Sequence, residues 1–465
     1  MIHKQKIALI LTIGLATEPS IKRINQLKPQ MVYFIHSKKS KENALFIIEE
    51  TNITNYKFKE LDDHESVDDA FIKSLECIGE LKDQDYEVIG DFTVGTKPMV
   101  AGLVMACIEE KIEYKYLGES DEDSREDGMG PVKSGHEKTK DQENPYENYA
   151  INEFKSGKEF FDKYQFIAAR ENFIKAESKL KYSDLKERSK LFIRIVEFYD
   201  SWDKFNDEQK LVKESNIPGF AGKTEFIKLN TVLEEILKDI KSDEASLNYF
   251  KNEIPNFYKQ MKNNKLFLDR KLSSSEDIYK NIPYYLPDLL NNAERRIKEG
   301  KYDDAVARLY RTLELIAQLC LYKYKFLDKD ELNKKKSFFV KRNAVEKRAN
   351  KTELAALEND LHKWKGNRRL IDFDLSSSYK LLKIMSDYRN DNIAEFIKPI
   401  VKNYYRIREN FERRNRSILA HGLMPLSENE ANVLFNLTKK HAILYSKNIE
   451  NNMKFAEFPL FSNDE

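Results

Sequence analysis

Residues 86–111, YEVIGDFTVGTKPMVAGLVMACIEEK, decide the fold of the N-terminal part of the chain. The run at 86–93 is rich in apolar residues and predicts a buried strand. A helix is expected from Pro98 to Lys111, because proline is well tolerated in the first turn of a helix. A strand that passes through a short loop into a helix is the repeating unit of a parallel α/β sheet.

The same alternation continues on both sides of this stretch. Continuous apolar strands that alternate with helices are typical of a parallel sheet covered by helices on both faces. The sequence therefore predicts an α/β, doubly wound, Rossmann-like domain over residues 1–118. Its further strands are expected at 6–14, 31–37, 56–61 and 113–118, and its further helices at 18–27, 39–50 and 66–82.

Two loops of this domain are candidates for a ligand site, because ligands of such sheets bind at the carboxyl ends of the strands. The first is 12–17, TIGLAT, and the second is 91–99, DFTVGTKPM. In the second loop Gly95 permits close backbone approach, and threonine hydroxyls and a lysine accompany it. Neither loop is a G-x-G-x-x-G or Walker A sequence, which disfavours a dinucleotide or triphosphate site. A cradle for phosphates or a ribose edge is one interpretation, and a plain strand-to-helix turn is the other.

The 91–99 string resembles the D-x-T-x-G-T-K-x-M loop of CARF domains, the sensors of cyclic oligoadenylates in type III CRISPR systems. The end of the second strand, His36-Ser37-Lys38, fits the place where that family contacts adenine bases. The resemblance implies that a cyclic oligoadenylate binds at the carboxyl ends of the strands. The ligand-binding residues expected on this basis are Thr12, Gly14, His36, Ser37, Lys38, Asp91, Thr93, Gly95, Thr96 and Lys97.

A second informative string, RNRSILAHG, lies at 414–422. Helical spacing of apolar residues predicts a helix that begins at Pro399 and ends at Gly422. Arg414 and His421 are then about two turns apart on nearly the same face. Histidine transfers protons near neutral pH, and the arginine fork binds phosphate oxygens, so this pair suits phosphate chemistry. Spacing alone leaves open a surface arginine and a structural histidine.

The 414–422 string also resembles the signature of the HEPN ribonucleases, an arginine and a histidine separated by four to six residues, with an asparagine directly after the arginine. In that family two protomers join their motifs and cleave RNA without a metal, using the 2′-hydroxyl of the RNA as nucleophile. The resemblance implies that His421 assists proton transfer and that Asn415 and Ser417 orient the substrate or the helix. Arg414 or Arg416 would stabilise the charge on the phosphorane: helical facing favours Arg414, and the closer family spacing favours Arg416.

Composition limits the remaining classes of function. The 465 residues suffice for two to four domains, and 15 glycines and 12 prolines indicate a helix-rich protein. A net charge of +1 provides no overall field for nucleic acid or membrane, so any RNA site must be a local patch. The three cysteines have no metal-ligand or disulfide spacing. A reduced cytoplasmic setting is expected, with no metal, no cofactor and no membrane association.

The rest of the chain is expected to connect and complete these two sites. Residues 119–148 are charged and poor in apolar side chains, which predicts a flexible linker. A helical connecting domain is expected at 149–285, and an all-α HEPN domain at 286–465, with a helix break at Gly300. Basic and aromatic residues alternate over 323–369, as in a groove for single-stranded RNA, although a solvated helix face explains them equally.

A CARF domain followed by a HEPN domain is the layout of the Csm/Csx group of CRISPR ancillary ribonucleases. The two resemblances together imply a cyclic-oligoadenylate-activated, metal-independent endoribonuclease that acts on single-stranded RNA as a homodimer in antiviral defence. Cyclic tetra-adenylate is the expected activator, with cyclic hexa-adenylate as the alternative, and no DNA is expected as a partner. The alternative functions are a non-catalytic sensor or scaffold and cleavage of the activator ring by the CARF site itself.

Overall fold

The structure, a computed structural model, divides into two compact units. The first comprises Met1–Ile151 with Lys179–Lys181, and the second comprises Asn152–Ser178 with Tyr182–Glu465. The structure describes residues 6–120, 124, 132, 136–213, 223–273, 280–328, 338–366, 368–412 and 424–464, with the backbone alone at 208–213 and 223–226.

The first unit is built on a six-stranded sheet in the order β3-β2-β1-β4-β5-β6. The strands β1 to β5 pair in parallel with their neighbours, and β6 pairs antiparallel with β5. This order confirms the prediction of a Rossmann-like domain. The strands are β1 Lys6–Thr12, β2 Met31–His36, β3 Tyr56–Glu60, β4 Tyr86–Asp91, β5 Glu113–Glu119 and β6 Glu137–Gln142. The helices are α1 Glu18–Leu27, α2 Lys41–Thr51, α3 Val67–Lys82, α4 Lys97–Glu109 and α5 Pro145–Asn148.

Alternate residues of the central strands are buried on opposite faces of this sheet. Ala8 and Ile10 belong to a core that contains Cys77 of α3 and Leu103 of α4. Their neighbours Leu9 and Leu11 belong to a second core with residues of α1 and α2. Because both faces are covered, β1 and β2 read as continuous apolar runs.

The predicted linker at 119–148 differs from the structure over its last part. Residues Glu137–Gln142 form β6, whose Lys140 lies opposite Tyr116 of β5. The sequence EKTKDQ has few apolar residues because an edge strand exposes much of its surface, and charged residues are common there. Backbone pairing with β5, which hydropathy does not detect, therefore orders this segment.

The first half of the second unit is a helical layer with an aromatic core. Trp202, Phe161 and Phe257 are buried in it together with Phe458 and Phe461 from the end of the chain. The helices are α6 Ile151–Asp162, α7 Phe166–Lys179, α8 Ser183–Asp203, α9 Leu229–Ser242, α10 Glu244–Asn252 and α11 Pro255–Lys271. A hairpin of β7 Glu208–Lys213 and β8 Lys223–Lys228 interrupts the helices that were expected throughout 149–285. Its short, strongly charged strands carry little hydrophobic pattern.

The second half of this unit is helical, as predicted. The expected break at Gly300 is present, with a φ of 72° that suits glycine. The helices are α12 Tyr285–Lys298, α13 Tyr302–Lys323, α14 Arg342–Arg348, α15 Lys351–Asp360, α16 Leu375–Asp387, α17 Asn392–Glu412, α18 Glu428–Tyr445 and α19 Ile449–Ala456. A small ladder pairs β9 Val340–Lys341 with β10 Leu370–Ile371. Among the helices in the described ranges, none combines the length and the apolar content needed to cross a membrane.

The start of α17 corrects the prediction of a helix beginning at Pro399. The helix begins at Asn392, and Pro399 lies inside it. The Asp391 carboxylate accepts hydrogen bonds from the amides of Ile393 at 3.0 Å and Ala394 at 2.8 Å, which caps the new helix end. This helix leads toward the 414–422 string, and its last described residue is Glu412.

A buried lysine joins three helical segments of the second unit. The side chain of Lys271 at the end of α11 is fully buried, with its ammonium 2.7 Å from Asp207 and 2.8 Å from Asp288 of α12. The indole nitrogen of Trp202 on α8 donates to both Asp288 oxygens at 3.0 Å. Burial acts to lower the pKa of Lys271, but the two carboxylates outweigh it, and the pKa is raised.

We expect Lys271→Met to lower the free energy of unfolding by about 3–5 kcal/mol, because it leaves the buried Asp288 and the partly buried Asp207 without their cation. Urea unfolding followed by tryptophan fluorescence measures this loss, since Trp202 and Trp364 both lie in the second unit. Lys265→Met is the control on the same helix. Its ion pair with Asp269 is partly exposed, and the expected cost is about 1 kcal/mol or less. Equal losses in the two variants would contradict the proposed role of Lys271.

Candidate functional site

A crevice opens where the strand order of the first unit reverses. The strand β1 lies between β2 and β4, so the chain leaves β1 and β4 toward opposite edges of the sheet. The loops that follow these two strands line a cavity of about 500 Å³. This is the position at which open α/β sheets bind ligands. The cavity is lined by Ile13, Gly14, Leu15, Ala16, Pro19, Ser37, Lys39, Ser40, His64, Thr93, Val94, Gly95, Thr96 and Met99.

The two loops touch through their backbones. A Cβ atom on Gly14 would lie 3.1 Å from the amide nitrogen of Gly95, and Gly95 itself has a φ of 134°. The Thr12 hydroxyl donates to the carbonyl of Val94, and the Asn43 side chain donates to the carbonyl of Gly14 at 2.7 Å. Glycine at both positions is what permits this close approach.

The threonines of the second loop hold its shape. Thr96 caps α4 by accepting from the Met99 amide at 3.4 Å, and its hydroxyl donates to the His64 carbonyl at 2.7 Å. The hydroxyl of Thr93 accepts from the Leu117 amide at 2.9 Å. The N-terminal end of α4 therefore borders the cavity, and its partial positive charge favours an anionic ligand there.

The end of β2 contributes a tight turn to the crevice. Ser37 and Ser40 form a reciprocal cap in which each side chain bonds the backbone amide of the other residue. The buried His36 has its Nδ1 3.0 Å from the Ser37 carbonyl, and its Nε2 has no hydrogen-bond partner among the described residues. This turn brings Lys39, rather than the predicted Lys38, into the lining of the cavity.

The predicted ligand residues occupy three kinds of position. Gly14, Ser37, Thr93, Gly95 and Thr96 line the cavity. Three others, Thr12, His36 and Asp91, are buried and are not part of its lining. Lys38 and Lys97 are exposed and also lie outside the lining. Direct ligand contact by any of the ten stays a prediction.

A buried ion pair that the sequence analysis missed supports the crevice. Arg23 of α1 pairs with Asp91 at the end of β4, and both side chains are almost fully buried. Arg23 also donates to the Thr139 hydroxyl of β6 at 2.8 Å. The sequence offers one indication of this pair, since an arginine stands beside Ile24 on the apolar face of a short helix. A cation buried there requires an anionic partner.

A second hollow of about 460 Å³ adjoins the first and shares part of its lining. Leu15 and Thr93 border both hollows, and Tyr116 and Glu137 border the second alone. The side chain of Leu15 is 96% exposed.

The predicted catalytic residues lie outside the described residues. Arg414, Asn415, Arg416, Ser417 and His421 fall in the range 413–423, between the end of α17 and the start of α18. Their assignment therefore stays a prediction.

A buried polar cluster fixes α17 against its neighbours. Asn403 of α17 donates to Nδ1 of His441 on α18 at 2.9 Å, and Nε2 of His441 lies 2.7 Å from the Tyr379 hydroxyl of α16. The ring of Tyr379 stacks on that of Tyr404 with 3.7 Å between centroids. Because His441 is completely buried, its pKa falls to about 3 and the ring is neutral. Neutral imidazole accepts one of these hydrogen bonds and donates the other.

The predicted RNA groove of basic and aromatic residues at 323–369 receives little support from the residues that the structure describes there. Trp364 is buried, and Arg342 lies over its ring at 4.5 Å while donating to nearby backbone carbonyls. Trp364 is therefore a core residue rather than a stacking platform for bases. Arg311 contacts Glu314 at 3.4 Å and Gln318 at 3.0 Å on its own helix, an ordinary helical pairing. The lysines at 334–336 lie outside the described residues.

Metal ligands are not gathered anywhere in the described ranges: no group of three or more histidine, cysteine, aspartate or glutamate side chains there is arranged to bind an ion. The three cysteines are free and buried, and burial raises the pKa of Cys77 to about 12. These thiols are therefore protonated at neutral pH and packed as core residues.

Residues 274–444 match the family model described as the Csm6 HEPN domain. This match confirms the prediction of a HEPN domain in the C-terminal part of the chain. A search of curated proteins gave no match.

The chain matches solved structures with TM-scores below 0.5. Csm6 from Enterococcus italicus, bound to cyclic hexa-2′-fluoro-hexa-dAMP, is 13% identical with a TM-score of 0.49, covering 97% of this chain and 98% of that one. Can2 from Sulfobacillus thermosulfidooxidans, in complex with cyclic tetra-adenylate, is 12% identical with a TM-score of 0.22, covering 50% of this chain and 82% of that one.

We expect Gly95→Ala to destabilise the carboxyl ends of β1 and β4 by about 1–3 kcal/mol, because alanine is strained at a φ of 134°. Amide hydrogen exchange of these two strands measures the effect and should become faster. Gly79→Ala on α3 is the control. Its new Cβ meets no atom within 4 Å, and removing a helical glycine should stabilise the domain by about 0.5–1 kcal/mol. Unchanged hydrogen exchange in Gly95→Ala would contradict the requirement for glycine at this φ.

The buried His441 makes stability depend on pH. Its folded-state pKa of about 3 lies below the ordinary 6.5, so the unfolded chain binds the extra proton between these values. The contribution of His441 to stability is therefore fully present above pH 6.5 and is lost as the pH falls toward 3. Because of this difference in pKa at His441, we expect the free energy of unfolding to fall by about 2 kcal/mol between pH 7 and pH 5. Urea unfolding of the wild type and His441→Gln at both pH values tests this, and the variant should lose about 2 kcal/mol less. Parallel losses would contradict the assignment.

Proposed function

We propose that this chain, in which a domain matching the Csm6 HEPN model follows a Rossmann-like domain, is a cyclic-oligoadenylate-activated endoribonuclease of type III CRISPR defence. The observation that carries the proposal is the match at 274–444, because it includes the RNRSILAHG string at 414–422. A family match to a nuclease domain supports RNA cleavage as the activity of this region.

The crevice between β1 and β4 supports the sensing half of the proposal. It joins a glycine-rich contact between two loops with the N-terminal end of α4, an arrangement that suits phosphates. Lys39 and Ser37 border the same cavity and supply a cation and a hydroxyl. In a homodimer two such crevices would share one ring of adenylates, and the exposed Leu15 would be covered there. Cyclic tetra-adenylate is the proposed activator, with cyclic hexa-adenylate as the alternative.

The chemistry proposed for the second site needs no metal. The 2′-hydroxyl of a ribose attacks the adjacent phosphorus, and the bond to the 5′-oxygen of the next nucleotide breaks, which leaves a cyclic phosphate and a free 5′-hydroxyl. His421 transfers the proton, and Arg414 or Arg416 stabilises the charge on the phosphorane. Asn415 and Ser417 orient the substrate or the helix. The cluster of Asn403, His441 and Tyr379 supports this site by holding α17, which leads into it.

The proposed division of labour follows the chain order. Residues 1–118 would form the sensor, and β6 from the 119–148 segment would complete its sheet. The helices of 149–285 would connect the sensor to the ribonuclease domain at 286–465. The last residues of the chain return to the core of the connecting helices, since the Asp162 carboxylate accepts from the amides of Phe461 and Ser462 at 2.8 Å. This return supports a rigid connection between the connecting helices and the ribonuclease domain.

Cleavage of a fluorescent single-stranded RNA in EDTA, with each ring added separately, tests the proposal. One ring should activate the wild type, and His421→Ala should reduce the rate about 100-fold or more. Separate Arg414→Ala and Arg416→Ala variants decide which arginine is catalytic. His362→Ala is the control, because His362 is exposed and lies outside the 413–423 range. Its rate should equal that of the wild type.

The same assay separates the alternatives. Ring binding without RNA cleavage would support a non-catalytic sensor or scaffold. Incubation of each ring with His421→Ala, followed by chromatography, detects ring cleavage by the first unit alone. RNA cleavage that survives His421→Ala and both arginine variants would disprove the assignment of the catalytic site.

A further inference from the structure

A cavity of about 710 Å³ in the second unit has no role in the proposed function. It lies among the segment after α8, the end of α11, the start of α12 and the middle of α13. Its volume is in the range typical of small-molecule sites. The lining consists of a polar set, Asp207, Lys228, Lys271, Ser273, Asn281 and Arg311, and an apolar set, Phe205, Leu272, Ile282, Tyr285, Leu289, Leu315 and Phe338.

Aromatic rings and cations are paired along this lining. The Lys271 ammonium lies 4.2 Å from the centre of the Tyr285 ring and 5.7 Å from that of Phe205. The Arg311 guanidinium lies 5.7 Å from the ring of Phe338. Each aromatic side chain that borders the cavity therefore has a cation nearby.

Most of the charged groups of the lining are paired: Lys271 lies between Asp207 and Asp288, and Arg311 pairs with Glu314. Asp207 is the one carboxylate among the lining residues of this cavity, and the buried Lys271 neutralises it at 2.7 Å. The Tyr285 hydroxyl also donates to Asp207, which holds the ring at the cavity wall. Lys228 is exposed, and its ammonium donates to the neutral Leu272 carbonyl at 3.2 Å. Arg311 pairs with Glu314 at 3.4 Å, so Lys228 remains as the cation that an anionic ligand would meet first.

We propose that this cavity binds one nucleotide unit, with its base against Phe205 and Tyr285 and its phosphate at Lys228. Aromatic faces and basic side chains are the two features that bind single nucleotides without strong sequence preference. The hydrogen-bonded pair Ser273 and Asn281 forms a polar edge that a base or ribose contacts. The nucleotide belongs to the RNA substrate or is free in solution, and both sources present the same chemistry. RNA as the source rests on the proposed ribonuclease function, whereas binding of a free nucleotide does not.

Photolabelling of the full-length protein with 8-azidoadenosine 5′-monophosphate tests the proposal directly. After digestion, mass spectrometry should find the label on peptides that contain Phe205 or Tyr285. Lys228→Gln should reduce this labelling about 10-fold, because a charge-assisted contact to phosphate is lost. Phe205→Leu keeps an apolar side chain but removes the stacking surface, and it should also reduce labelling. Tryptophan fluorescence verifies that both variants are folded.

Lys238→Gln is the matched control, because Lys238 on α9 is exposed and does not line the cavity. Its labelling should equal that of the wild type. Competition by a single-stranded RNA tetranucleotide stronger than that by adenosine 5′-monophosphate would identify RNA as the source. Stronger competition by the mononucleotide would identify a free nucleotide. Absence of label from these peptides, or labelling that Lys228→Gln leaves unchanged, would overturn the proposal.

Discussion

The contact between the backbones of Gly14 and Gly95 is the constraint on which the N-terminal site depends. The reversal of strand order places the ends of β1 and β4 side by side, and the two glycines allow their loops to meet without side chains between them. The positive φ of Gly95 turns the chain toward Thr96, which caps α4. One local requirement thus shapes the crevice and aligns the helix end that borders it.

Buried polar contacts play a comparable part among the helices of the second unit. Lys271 lies between two carboxylates, and His441 lies between an asparagine and a tyrosine. Apolar packing is permissive about small shifts of one helix along another, whereas these hydrogen bonds have fixed partners and directions. They define the positions of α11, α12 and α17. The helix α17 leads into the proposed catalytic segment, so its position bears on the geometry of the proposed cleavage site.

The sequence allowed the sheet and the loops of the first unit to be predicted, because buried parallel strands are continuous apolar runs and Gly95 stands out among polar residues. It did not reveal β6, whose pairing depends on backbone bonds at an exposed edge. The pair of Arg23 with Asp91 joins residues far apart in the chain, which no local pattern shows. The sequence predicts Lys38 at the ligand site, but the tight turn after β2 places Lys39 in the lining of the cavity. Proline is typical of the first turn of a helix, so the sequence predicts a start at Pro399, whereas the Asp391 cap begins α17 seven residues earlier, at Asn392.

The central claim is that the crevice between β1 and β4 binds a ring of adenylates. Isothermal titration calorimetry of the full-length protein with cyclic tetra-adenylate and cyclic hexa-adenylate measures this binding without reference to RNA cleavage. The account predicts saturable binding of one of the rings, with one ring for every two chains, and much weaker binding after Gly95→Ala. Absence of heat with both rings, or binding that Gly95→Ala leaves unchanged, would contradict it.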